Sequence, residues 1–169
     1  DDAVGDVTIE AGGNINIAGS ASAAGNLTLG SEQGAVVTQA LSAGNDLFVA
    51  AETGILLGSN VTAATGTVTL LSSGSVESLG TITAGKDAGI YATTNITLGG
   101  DGIAAVVAGD NATISTKQGD VSISDVTAGN DVVVFSFEGK VSQQKDTVLK
   151  AGASATVSAL TGIEIASVQ

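Results

Sequence analysis

The chain has 169 residues, with 17 acids against five lysines, no arginine, no histidine and no cysteine, for a formal net charge of −12. That inventory excludes the basic stripe a nucleic-acid binder needs, histidine- and thiol-based catalysis and the usual zinc sites, and it leaves no arginine to clamp an anion. Hydrophobic residues reach 43% but aromatics only 2%, so the core must be built from Ala, Val, Ile and Leu, while 24 glycines without one proline fit many tight turns between strands that all donate to ladders.

Taken in chain order, the same phrase recurs eight times. Asp6 precedes the alternating pair Val7/Ile9 and a turn at Gly13; Asn26 precedes Leu27/Leu29, a turn at Gly34 and an aliphatic at Leu41. Asp46 introduces Leu47/Val49, then Gly54, Ile55/Leu57 and Val61, and Thr67 introduces Val68/Leu70, then Gly74 and Ile82. Asp87 is followed by Ile90, Asn95 and Val106; Asn111 by Gly119 and Val126; Asp131 by Val132/Val134, Gly139 and Leu149; and Ser154 by Gly162 and Ile163/Ile165. A period of about 20 to 24 residues with strand-like alternation inside it marks a solenoid, whose units cannot fold singly and must stack. Three aliphatic segments per unit, separated by turns, describe a three-sided coil. The expected fold is therefore all-β: a single right-handed parallel β-helix of about eight coils, roughly 38 Å long at one strand spacing per coil. It runs as one array over residues 1–169, and the lack of evident caps suggests a fragment of a longer repeat array.

The columns carry further expectations. Asp6, Asn26, Asp46, Thr67, Asp87, Asn111, Asp131 and Ser154 should form a ladder along the axis that satisfies backbone donors freed by the turns. Thr67 comes one residue late, which reads as a turn insertion. Gly13, Gly34, Gly54, Gly74, Asn95, Gly119, Gly139 and Gly162 read as one turn column; its single non-glycine is Asn95, which implies a positive φ. Calcium is a competing use of the acids, but neither an EF-hand loop nor a glycine-rich nonapeptide is present. No metal or cofactor is expected. Paired carboxylates could serve glycoside hydrolysis, yet here they recur one per coil at turns, so an enzyme is not expected.

Two departures from the repeat stand out. If the alternating aliphatics point inward, Phe48, Leu71, Tyr91, Val133 and Phe135 point outward and form an apolar strip, suited to a lateral contact between shafts or to a glycan stacking on an aromatic ring. The alternatives are that extra loop residues cover the strip, or that a one-residue slip puts these rings in the core. Near the end, Lys140, Lys145 and Lys150 crowd into a long unit that should bulge as a turn, either solvated or paired with acids of a neighbouring shaft. Gly99-Gly100-Asp101-Gly102 reads as a flexible turn. Four Asn-x-Thr sequences, at Asn26, Asn60, Asn95 and Asn111, are glycosylation acceptors by motif, although turn and strand preferences alone produce them. A Thr-x-Thr ice-binding face is interrupted, since Thr28, Thr69, Thr113 and Thr156 are broken by Phe48, Gly89 and Val133.

The segments AGNDLFVAAETGILLGSNVT from Ala43, AGKDAGIYATTNITL from Ala84 and AGNDVVVFSFEGKV from Ala128 resemble filamentous-haemagglutinin-type repeats, an Ala-Gly-x-Asp-aliphatic phrase followed by a Gly-x-aliphatic phrase. The resemblance covers essentially the whole chain. It implies the rigid shaft of a large secreted bacterial cell-surface adhesin, exported with an outer-membrane transporter partner by two-partner secretion. The family's secretion motif, of Asn-Pro-Asn-Gly type, has no counterpart in a chain without proline. That places the export signal, and any receptor-binding or glycan-binding tip, in other regions. The expected partners are protein surfaces or further copies along or at the ends of the shaft, with no nucleic acid and no membrane insertion: no stretch reaches the roughly 20 apolar residues that span a bilayer. The alternative is a subunit of an extracellular fibre whose open coils pair end to end.

Overall fold

The computed structural model describes residues 5–99 and 104–169, and over these the chain forms 23 short strands and no helix. Numbered in chain order, the first sheet stacks β1 (Val7–Ala11), β4 (Leu27–Ser31), β7 (Leu47–Ala51), β10 (Val68–Ser72), β13 (Ala88–Ala92), β16 (Ala112–Thr116), β19 (Asp131–Ser136) and β22 (Ser154–Ala159). The second stacks β2 (Ile15–Ile17), β5 (Ala35–Thr38), β8 (Gly54–Leu57), β11 (Ser75–Ser78), β14 (Ile96–Leu98), β17 (Val121–Ile123), β20 (Lys140–Gln143) and β23 (Gly162–Glu164). The third stacks β3 (Ala21–Ala23), β6 (Leu41–Ala43), β9 (Val61–Ala63), β12 (Ile82–Ala84), β15 (Ala104–Ala108), β18 (Asp125–Ala128) and β21 (Leu149–Ala151). Every sheet neighbour lies three strands away in sequence and pairs in parallel, the connectivity of a polypeptide wound three-sided about one axis.

Alternation within the strands sets the register. In the first sheet Leu27, Leu47 and Val68 stack in one inward column and Leu29, Val49 and Leu70 in the next, all buried. In the third sheet Leu41, Val61, Ile82, Val106, Val126 and Leu149 stand directly above one another, also buried. Each such side chain removes apolar area worth about 1.5–3 kcal/mol from water, and it does so only because its neighbours along the axis cover it. The end windings show the converse. Val7 and Ile9 are only partly buried, and Ile163, at an inward-type position, is 49% exposed.

The irregularities are local. The turn before β10 has four residues, Ala64 to Thr67, where the turn before β7 has three, Gly44 to Asp46, so the extra residue at Thr67 is absorbed in a turn and the sheet register is kept. Pairing of β15 with β18 slips at Ala105. The expected turn at Gly99-Gly100-Asp101-Gly102 lies outside the described residues except for Gly99, whose φ is 78°. The long unit near the end bulges between β20 and β21, with Asp146 at φ 63°. Lys145 sits on that bulge, whereas Lys140 opens β20 and Lys150 lies on β21, so the three lysines are spread over two sheets and the corner between them.

The glycine column needs two corrections. Register shows that it is two adjacent columns: Gly13, Gly34, Gly74, Gly119 and Gly139 occupy one, and Gly54, Asn95 and Gly162 lie one residue further along, in line with Asn14 and Asp120. Nor does either column have positive φ; among the described residues only Gly5, Gly99 and Asp146 do. The constraint is close approach of the preceding coil. A Cβ on Gly74 would meet the Thr53 carbonyl oxygen and stand 2.5 Å from its carbon; one on Gly34 would stand 2.5 Å from the Asn14 nitrogen; one on Gly119 would stand 2.5 Å from the Thr94 carbonyl carbon. Gly54, by contrast, has room for a methyl group, its nearest neighbours being 3.5 and 3.6 Å away.

Candidate contact face

The corner ladder is built from acceptors that reach the next winding. Asp6 Oδ1 accepts from Asn26 N at 2.7 Å, Asn26 Oδ1 from Asp46 N at 3.1 Å, and Asp46 Oδ1 from Thr67 N at 2.8 Å. Asp87 Oδ1 accepts from both Asn111 N (3.1 Å) and Asn111 Nδ2 (2.8 Å), and Asn111 Oδ1 accepts from Asp131 N at 3.3 Å. Ser154 stacks on Asp131 at the end of the column. Among the described residues no rung joins Thr67 to Asp87, since a threonine hydroxyl lacks the forward carbonyl that Asp and Asn supply. Acids alternate with neutral residues throughout, so no two carboxylates of this column occupy adjacent coils, about 4.8 Å apart.

The other two corners carry similar rungs, outside the single polar column that the sequence period marks. Asn14, Asn95 and Asp120 accept from the backbone nitrogens of Ala35, Asp120 and Lys140 at 2.8, 2.9 and 2.9 Å. At the third corner Asn60 accepts from Thr81 N at 3.0 Å and Asp125 from Val148 N at 2.6 Å. All four Asn-x-Thr asparagines thus have Oδ1 occupied by a rung. Inside the corner after the first sheet, Ser31, Thr116 and Ser136 are buried and bond the glycine turns: Ser136 Oγ donates to Gly119 O at 2.7 Å and accepts from Gly139 N at 2.9 Å. The recurring Ser/Thr-x-x-Gly spacing at Ser31, Thr116 and Ser136 is the sequence signal for this second network.

The outer surface of the first sheet holds the aromatic residues. Phe48 (38% exposed) and Val133 belong to one row, with Thr28, Thr69, Gly89, Thr113 and Thr156. Leu71 (48%), Tyr91 (38%) and Phe135 belong to the neighbouring row, so the strip is two rows wide and not a single line. Phe137, which lies beyond the expected strip but follows Phe135 at outward parity, is 60% exposed; its ring centroid lies 6.1 Å from that of Phe135 at a 58° tilt. Leu71, Tyr91, Phe135 and Phe137 line a shallow groove of about 310 Å³ with Lys117 at its edge. Exposed Leu56 and Val107 stand on the other two sheets, as isolated apolar residues commonly do.

Tyr91 is held in an unusual way. The position two residues back, Gly89, has no side chain, and the Tyr91 ring fills the space: a Cβ at Gly89 would stand 2.8 Å from Tyr91 Cε2 and 3.1 Å from its hydroxyl. The ring therefore lies along the sheet. Beside it opens a second cleft, of about 460 Å³, lined by Thr67, Thr69, Asp87, Asn111, Thr113 and Asp131 together with Gly89, Tyr91 and Val133. Among the described residues no cluster of three acidic side chains could hold a metal ion. Compared with models of protein families, with curated proteins and with solved structures, the chain matches none.

Proposed function

We propose that this chain is a shaft segment of a large secreted bacterial cell-surface adhesin, acting as a rigid spacer for adhesion or cell–cell contact. The observation that carries the reading is the unbroken stacking of three parallel sheets, from β1 to β22 in the first of them, with turn insertions absorbed at the corners. Such a stack transmits force along its axis through backbone ladders shared by every winding. Nothing in the reading needs catalysis. The repeat phrases of the sequence supply the link to secreted adhesins and their outer-membrane transporters. Antibodies raised against this chain should label intact source cells, and the signal should vanish after protease shaving. Labelling only of lysed cells would sink the proposal.

A second reading, a fibre subunit that joins end to end, rests on the last winding. Ile163 is half exposed, and Val168, which stacks on buried Leu149, is also exposed. A further winding would cover both, whether it came from the same chain or from a second copy. Concentration-dependent filaments of the isolated chain, seen by electron microscopy, would favour the second copy.

A further inference from the structure

We propose that the Tyr91 face is a binding site for a neutral saccharide, formed on the shaft itself and separate from any distal tip. The ring is fixed along the sheet because Gly89 leaves room for it, yet 38% of Tyr91 stays exposed. An aromatic ring presented sideways is a platform for the C–H face of a pyranose, which is apolar while its rim is hydroxylated. The surroundings fit that division. On one side lie the hydroxyls of Thr69 and Thr113, which flank Gly89 in the adjacent coils, and the carboxylate of Asp131, which accepts no corner rung among the described residues. On the other side Leu71 and Phe135 continue the apolar surface.

Charge narrows the ligand class. The polar cleft contains Asp87 and Asp131 and no lysine, while Lys117 lines the apolar groove that shares Tyr91, so a uronate or sialylated sugar seated over the cleft would meet repulsion, whereas a neutral ring can donate its hydroxyls to these acceptors. A purely hydrophobic contact with a second shaft would have no use for the acids and would bring two chains of charge −12 together. Tyr91 acts here as the stacking residue, Asp131 as the principal acceptor, and Gly89 as the residue that sets the ring's attitude.

The probes are methyl β-galactoside, methyl β-glucoside and methyl N-acetyl-β-glucosaminide, each compared with a glucuronide. Saturation-transfer NMR on the intact chain should show magnetisation reaching the C–H protons of at least one neutral sugar and not those of the glucuronide. Because Tyr91 is the sole tyrosine and there is no tryptophan, its emission should change saturably with the same sugar. Tyr91→Ala should weaken binding about tenfold or more, Tyr91→Phe should largely keep it, and Asp131→Asn should weaken it several-fold. Gly89→Val should also abolish it, by displacing the ring while retaining the tyrosine. Stable folding of each variant is checked by its far-ultraviolet dichroism and thermal midpoint; should Gly89→Val unfold, the Tyr91→Ala and Tyr91→Phe pair decides alone. The proposal is overturned if no neutral sugar transfers, if transfer survives Tyr91→Ala in a folded chain, or if the glucuronide binds equally well. A wild-type dimer that Tyr91→Ala converts to monomer, with no sugar transfer, would likewise overturn it and assign the face to a second copy.

Discussion

Replacing Gly74 by Ala would set a methyl group against the backbone of the winding below, and the cost can be worked from the geometry. The added Cβ would lie 2.5 Å from Thr53 C and closer still to its carbonyl oxygen, about 1 Å inside an ordinary carbon–carbon contact. Neither atom belongs to a flexible side chain, so the two coils must part locally. Bonds that share the corner, Ser73 N to Ala51 O at 3.1 Å and Gly74 N to Ser72 Oγ at 3.0 Å, would lengthen or break. Overpacking of this kind costs about 1–3 kcal/mol, and each of the two weakened bonds adds roughly 0.5–1.5 kcal/mol, for an expected loss of about 2–6 kcal/mol. Gly54→Ala, one coil away, is the control: its methyl group has ordinary contacts at 3.5 and 3.6 Å and its φ is not positive, so restricting the unfolded chain should stabilise by about 0.4–1 kcal/mol. Urea unfolding of both variants, compared at unchanged slope, gives the two values. Equal destabilisation would refute the close-approach account and restore a backbone-conformation requirement at both sites.

Four other substitutions probe the rest of the architecture. Asn111→Asp would put carboxylates in three successive coils and delete the 2.8 Å bond from Asn111 Nδ2 to Asp87; a loss of about 1–3 kcal/mol, partly recovered in high salt, is expected from unfolding curves at two ionic strengths. Leu70→Ala should cost about 2–5 kcal/mol because Leu70 is fully buried, while Leu71→Ala, next in sequence but 48% exposed, should stay within about 0.5 kcal/mol; similar thermal shifts for the pair would mean that the register is wrong. Thr38→Val should stabilise by roughly 1 kcal/mol, because the Thr38 hydroxyl is buried without a hydrogen-bond partner. An unchanged or lower denaturation midpoint would count against that reading.

Much of this molecule is written in its periodicities. A two-residue alternation inside a repeat of some 20 residues leaves one economical arrangement, because Leu27, Leu47 and Val68 can all be dry only if each covers the next. The same alternation placed Phe48, Leu71 and Tyr91 outside, and the late arrival of Thr67 marked an inserted turn residue. What sequence spacing could not resolve was anything that depends on the distance between windings. Gly34 and Gly54 look equivalent by interval, yet they stand one register apart, and only the stacked coil shows that the first is pressed against backbone while the second is not. Asn14, Asn60 and Asn95 likewise look like ordinary turn residues until the next winding brings a backbone N–H to each Oδ1. The Tyr91 ring resting over Gly89, and the polar cleft beside it, draw their walls from coils that are 20 to 24 residues apart in sequence. Local pattern determined the coil, since backbone and alternation are properties of the chain within a few residues; stacking decided the surface, since it exists only between chain segments that sequence separates.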